Sequence, residues 1–379
     1  MSSDVMAAAR PEFARRSAAA ASFDGTIAGW LLHAPVQLAS GPHAGAIAGA
    51  LTEAGDAPYV YPEIAGYYLQ WLAWRAQFAA DADALAVRAT AVQRWLAVWL
   101  AAGDAPPTRV HFDGAHDWRN DAVFFFDIAM VLRGLGAAAQ ARLLLPDAAV
   151  VSGVVRQLSR LLAADGEFDA CAVKPGAAPP AARWSTRRGP FLAKAAAGVL
   201  TASRALPGIP AQLTVAAEAT FASSLSLLAQ APHREAHPLL YAFEGALALP
   251  SHARVRDGLP VIAEQFDRLL ARAGTDGFLP ETIGEAVGPK RIDVVAQALR
   301  VGHLLTAHRP QDPPDRVALA RLSHTLARQV RASGAVPFAR DGVPPRLNVW
   351  AAMFADQALA LAKPAAHGDA AWRDAPLVV

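Results

Sequence analysis

Along this chain one helical run after another closes on a short glycine-bearing loop. The segments are QLASGPHAG (37–45), WLAAGDAPP (99–107), LLAADGEFD (161–169), LLARAGTDGFLP (269–280) and QVRASGAVPF (329–338). A sixth, LLAQAPHREAHP (227–238), holds the same place without the glycine. With Gly45, Gly103, Gly166, Pro232, Gly277 and Gly334 as markers, the steps are 58, 63, 66, 45 and 57 residues. Two helices of about a dozen residues and two short loops fill such a step. The chain therefore reads as six helical hairpins. A repeat grows by adding units, so 379 residues need not mean several domains. We expect a single repeat domain over 21–365, an N-terminal extension over 1–20 and a tail over 366–379.

The runs are rich in Ala, Leu and Arg, with apolar residues three and four apart and almost no β-branched alternation. After each loop comes a second, more apolar helix with a polar residue near its start. These residues are Glu63 in YPEIAGYYLQWL, Asp127 in FFFDIAMVLRGL, Arg187 and Arg188 in STRRGPFLAKAAAGVL, Glu244 in HPLLYAFEGALAL, Asp293 in RIDVVAQALRVGHLL and Asn348 in LNVWAAMFADQALALA. The first helices, such as DADALAVRATAVQRWLAVWL and PPDRVALARLSHTLARQV, are amphipathic, as an outer layer should be. The expected fold is an all-α (α/α)6 barrel, or toroid. Its inner helices would run in one direction and bring their N-terminal ends to a common mouth.

Composition narrows the function. Hydrophobic residues make up 54% and charged residues 18%, enough for a large core and against disorder. Thirty-five basic and 33 acidic residues give a net charge of +2, no case for nucleic acid or an anionic membrane. The one cysteine, Cys171, rules out a disulfide framework and a multi-cysteine zinc site. Neither a continuous apolar leader nor a membrane-length apolar run is visible, so the expected place is the cytoplasm. The GxxxxGK[ST], GxSxG, HExxH and DxDD motifs are absent. No cofactor or metal is expected.

Candidate chemistry gathers at the inner-helix starts. Glu63 stands among Tyr59, Tyr61, Tyr67, Tyr68 and Trp71, rings that suit sugar stacking. A carboxyl beside aromatics can keep its proton and act as a general acid, or it can simply favour the helix dipole. The densest polar stretch, 110–135, holds His111, Asp113, His116, Asp117, Trp118, Arg119, Asp121 and Asp127. Asp127 follows three phenylalanines, which places an ionisable group against an apolar wall. The group from Asp113 to Asp121 matches no metal-ligand spacing and reads better as a capped loop. Arg183, Trp184, Arg187 and Arg188 could clamp a carboxylate or phosphate. His237, Tyr241 and Glu244 share one helical face, either as a proton relay or as a buried network. Glu281, Asp293, Asn348 and Trp350 are further candidates for ligand contact.

The six-hairpin pattern resembles the six-hairpin glycosidase-like superfamily. Its members include unsaturated glucuronyl hydrolases, uronate-epimerase toroids, sugar 2-epimerases and several polysaccharide lyases. YPEIAGYYLQWL, FFFDIAMVLRGL, LLYAFEGALAL and NVWAAMFADQAL look like inner-helix openings of toroid proteins associated with surface polysaccharides. The resemblance covers nearly the whole chain and is architectural. It implies carboxylates at the inner-helix ends acting as acid and as base or nucleophile, here Glu63, Asp127 and Glu244. The expected ligand is an oligosaccharide or polysaccharide, acidic in character. Hydrolysis comes first, and a lyase or epimerase using Tyr61, Tyr241 or His237 second. A non-catalytic glycan-binding or assembly protein is the rival. A deep cleft with two carboxylates within about 10 Å would favour the enzyme, and a cleft with aromatics and only distant carboxylates the binder.

Overall fold

The computed structural model describes residues 25–363 apart from 80, 231–232, 284–287 and 343–344. The N-terminal extension, the tail, the outer limits of the repeat domain and the marker Pro232 lie outside the described residues. Within them the chain forms α1 (Gly25–His33), α2 (Pro62–Arg75), α3 (Ala82–Ala101), α4 (Phe125–Gln140), α5 (Ala148–Ser159) and α6 (Leu192–Ala202). It continues with α7 (Ala211–Gln230), α8 (Ala236–Leu247), α9 (Ala253–Leu270), α10 (Ile292–His308), α11 (Arg316–Gln329) and α12 (Val349–Ala362).

The even-numbered helices form the inner ring. Each packs against the next, and α12 packs against α2 to close the circle. Their sequences explain the placement. In α2 every residue from Pro62 to Trp74 is buried, and in α6 every residue from Leu192 to Leu200. A helix apolar all round needs neighbours on all sides. The odd-numbered helices lie outside. In α3 the buried set is Leu85, Ala89, Val92, Trp95, Leu96 and Trp99, one stripe at helical spacing. The outer layer closes where α1 packs on α12.

Five marker glycines, Gly45, Gly103, Gly166, Gly277 and Gly334, have φ between +76° and +135°. A side chain is disfavoured in that region, which is why the same residue type recurs after the outer helices. The inner ring is tight. A Cβ on Gly66 would lie 2.4 Å from the Met130 carbonyl oxygen, and one on Gly134 would lie 2.4 Å from the Gly66 carbonyl oxygen. The backbones of α2 and α4 touch there. Alanine is the better helix former by about 1 kcal/mol. Even so, Gly134→Ala is expected to lower stability by about 1–3 kcal/mol through overpacking. Urea denaturation reads this, and an unchanged or raised midpoint would rule out the close crossing.

The loops at the mouth also pair, which the near absence of strand signals did not anticipate. Six strands of two or three residues form three antiparallel ladders: β1 (Ala50–Leu51) with β6 (Leu347–Asn348), β2 (Tyr59–Val60) with β3 (Val110–His111), and β4 (Ala122–Phe124) with β5 (Cys171–Val173). They are too short for a periodic signal and arise where loops cross in front of the inner helices. The β1–β6 ladder joins the first hairpin to the last. No helix among the described residues is long and apolar enough to cross a membrane.

Candidate functional site at the toroid mouth

The outer helices α3, α5 and α11 start on aspartate caps, Asp81, Asp147 and Asp315. The inner helices α2, α4, α6, α8 and α10 start without a side-chain cap. Loop carbonyls take several of their first N–H groups, among them Phe125, Leu192, Ala236 and Ile292, and their positive dipole ends are directed at the mouth, where they favour negative charge. In α12 the Asn348 side chain accepts from the Ala351 N–H and does the capping itself.

Glu63 and Asp127 meet at this end. The Tyr61 hydroxyl donates to Asp127 Oδ2 at 3.1 Å and also interacts with the Glu63 carboxyl. Asp127 and Glu63 also act on one another through space, so the two carboxyls and the phenol form one group. Burial raises the Glu63 carboxyl above its ordinary range. Burial and then the charge of Glu63 raise Asp127 well above its own. Two carboxyls acting on one another in an apolar wall resist ionising together, so each keeps its proton to higher pH than a free carboxyl. Burial also raises the Tyr61 phenol well above its usual value, so it stays a donor. Glu63 and Asp127 are almost enclosed, with 8% and 9% exposure.

The rim above them is built of cations on aromatic faces. Arg109 lies 4.9 Å from the Tyr59 ring centre and 4.7 Å from that of Tyr61. Arg119 and Arg183 lie over Trp118 at 4.5 and 5.0 Å. Asp117 caps the short 3₁₀ turn at Trp118 and pairs with Arg109 and Arg119 at 3.3 and 3.2 Å. Its role is to hold the arginines in place. Trp184 meets His237 edge-on at 5.9 Å. Among the described residues no three of His, Cys, Asp or Glu converge in a metal-binding arrangement.

Across the mouth, His237 Nδ1 is bonded to Gln297 Oε1 at 2.6 Å. Burial, with Arg291 nearby, pushes its pKa down to about 3, so it is neutral at physiological pH. The Tyr241 ring packs beside it, tilted by 54° at 4.3 Å. Asp293 is fully buried and bonded to Arg291 at 2.6 Å and to the Trp350 indole N–H at 3.3 Å. Burial alone would raise its pKa; Arg291 and then His237 outweigh this and hold it low. Glu281 accepts from Arg291 at 3.2 Å.

A neutral buried histidine has a pH signature. The unfolded chain takes up a proton below about pH 6.5, whereas the folded chain does so only near pH 3. Stability is therefore lost as pH falls across that window, by up to about 1.4 kcal/mol per pH unit from this group. His237→Gln is expected to show a flatter acid limb by that amount in denaturant titrations at pH 6.5, 5.5 and 4.5. Parallel curves would mean that His237 titrates like a free side chain.

Several sequence candidates are placed elsewhere. Glu244 sits in the third turn of α8, not at its start, and is 1% exposed. It accepts from Lys194 at 2.9 Å, from Gln297 at 3.2 Å and from Arg300. The residue at the start of α8 is His237. Trp71 and Tyr67 are fully buried, so neither reaches the mouth. The Trp71 indole N–H donates to Asp356 at 2.9 Å, and Tyr67 packs edge-on against Phe354. Arg188 precedes α6 and pairs with Asp165, Glu167 and Asp169 on an outer loop. Its charge is spent there. Arg187 is exposed. Sequence reasoning missed Arg109 and Arg291, and the axial charges Arg133, Lys194 and Arg300. For the axial three a signal existed: each is a lone cation in an otherwise apolar inner-helix run.

No family model and no curated protein matches the chain. Solved structures do. Cellobiose 2-epimerase from Spirochaeta thermophila DSM 6192 superposes with a TM-score of 0.66 at 13% identity, covering 93% of this chain and 96% of that one. D-mannose isomerase gives 0.67 at 11% identity, covering 93% and 99%. An unsaturated glucuronyl hydrolase specific for heparin gives 0.61 at 11% identity, covering 92% and 96%. The likeness runs through the whole ring of hairpins, and the chain has the (α/α)6 toroid fold of the six-hairpin glycosidase-like proteins.

Proposed function

We propose that this protein is a carbohydrate-active enzyme that cleaves an acidic glycan or glycan fragment by general acid/base chemistry. The observation that carries the reading is the pair of buried carboxyls, Glu63 and Asp127, linked through Tyr61 at the inner-helix starts. Asp127, the more strongly raised of the two, holds the proton for the glycosidic oxygen. Glu63 is the ionised partner. We assign Glu63 the role of nucleophile, which predicts retention of configuration. The uncapped inner-helix ends and the rim arginines supply a field for a sugar carboxylate. Trp118, Trp184 and Trp350 offer partly exposed faces for sugar rings.

A second reading rests on His237. A neutral imidazole beside Tyr241 can take a proton from a sugar carbon, as an epimerase or isomerase requires, and the neighbours of similar fold include two proteins so named. We place the protein in the cytoplasm, acting on oligosaccharides or biosynthetic intermediates rather than external polymer. The test is a screen of purified protein on acidic and neutral glycans. New reducing ends, ultraviolet absorbance of unsaturated uronates and exchange of solvent deuterium into the sugar are followed together. Reducing ends without unsaturation support the hydrolase, and deuterium exchange without cleavage moves the assignment to His237. Saturable binding with neither product would reduce the protein to a glycan binder.

A further inference from the structure

Below the carboxyl pair the toroid axis holds three cations: Arg133 on α4, Lys194 on α6 and Arg300 on α10, at 8%, 0% and 0% exposure. They act on one another through space. The carboxylate touching this group is Glu244, shared between Lys194 and Arg300. Arg300 also donates to Gln357 at 3.1 Å. The next carboxyl is Glu63, which acts through space on Lys194. Arg133 has no such partner. Its Nη1 is buried and meets no acceptor among the described residues. The Tyr67 hydroxyl, in the field of both Arg133 and Arg300, is buried; it interacts with the Tyr241 phenol but makes no hydrogen bond in good geometry. Unpaired buried donors are rare, and an unpaired buried charge is costly.

A buried guanidinium nitrogen lacking an acceptor and a counter-charge, with a buried phenol in its field, describes an anion site. We propose that a small monovalent inorganic anion of the halide class binds in the toroid axis against Arg133 and Tyr67. A sugar carboxylate is the wrong occupant, since Tyr67, Lys194 and Arg300 are wholly enclosed and admit no organic group. One negative charge balances Arg133. The site lies beside the α2–α4 crossing at Gly66 and Gly134, so its filling would lock the two helices that carry Glu63 and Asp127. The inference is independent of any activity.

Thermal unfolding of the full chain in gluconate, replaced stepwise by chloride or bromide at constant ionic strength, tests it. The midpoint of the wild type is expected to rise, with the folding constant growing tenfold for each tenfold halide above its dissociation constant. Arg133→Met should abolish the response. Tyr67→Phe, which keeps the ring, should weaken halide binding about tenfold, the worth of one hydrogen bond to a charge. Crystals grown in bromide should show anomalous scattering beside Arg133. A wild-type midpoint indifferent to halide would overturn the proposal. So would an unaltered response in either variant, or bromide found only at the surface. If Arg133→Met does not fold, Tyr67→Phe and the bromide position decide.

Discussion

Asp127→Asn is expected to lower turnover of a natural glycan by about 10²–10⁴-fold, the usual worth of a positioned general acid. Glu63→Gln should lose at least as much. The two losses differ in kind. An aryl glycoside with a good leaving group needs no protonation of its oxygen, so it should restore much of the Asp127→Asn rate. It should not rescue Glu63→Gln, which lacks the attacking carboxylate. The pH profile carries the same assignment. Both carboxyls are raised by burial, so the wild-type bell should lie above the ordinary carboxylate range. Activity falls at low pH as Glu63 gains a proton and at high pH as Asp127 loses one. With the aryl substrate, Asp127→Asn should lose the alkaline limb and keep the acid one. Rescue of Glu63→Gln instead would exchange the two roles, and full activity in both variants would remove the pair from the chemistry.

Glu244→Gln is expected to destabilise the fold by about 3–5 kcal/mol, the cost of stripping a buried charge network of its counter-ion. Lys194 and Arg300 would then share the axis with Arg133 and touch no carboxylate. Lys194→Met should be milder. Arg300 still pairs with Glu244, and burial together with Arg300 already pushes the Lys194 ammonium well below its usual pKa. The methionine stem also fills the space between the Tyr67, Tyr241 and Phe354 rings, which lie 4.7, 3.8 and 5.1 Å from the Lys194 ammonium. Urea denaturation at pH 7 separates the two variants. Equal losses, or a stable Glu244→Gln, would mean that the axial charges are solvated rather than enclosed.

The order of outer and inner helices, the recurring glycine turn and the polar mouth were all legible along the chain. Each depends on local physics. A positive φ favours glycine wherever the turn recurs, and a helix buried on every side must be apolar on every side. Glu63, Asp127 and Asp293 stand out because acidic groups favour the positive dipole ends of helices. Proximity across the ring was not legible. Periodicity says which face a residue occupies and how far along its helix it lies, but not what stands opposite. That is why Glu244 looked like a mouth residue and is an axial counter-ion, and why Arg188 looked like a ligand clamp and closes an acidic outer loop.

What the sequence alone determined is the set of hairpins and the chemical character of the mouth, since propensity, turn stereochemistry and burial act within a few residues of one another. Only the tertiary structure decided that Tyr61 bridges Glu63 to Asp127, that His237 is neutral and that Arg133 lacks an acceptor. Each of these depends on distance and desolvation between helices that the chain keeps some fifty residues apart, and closure of the ring sets both.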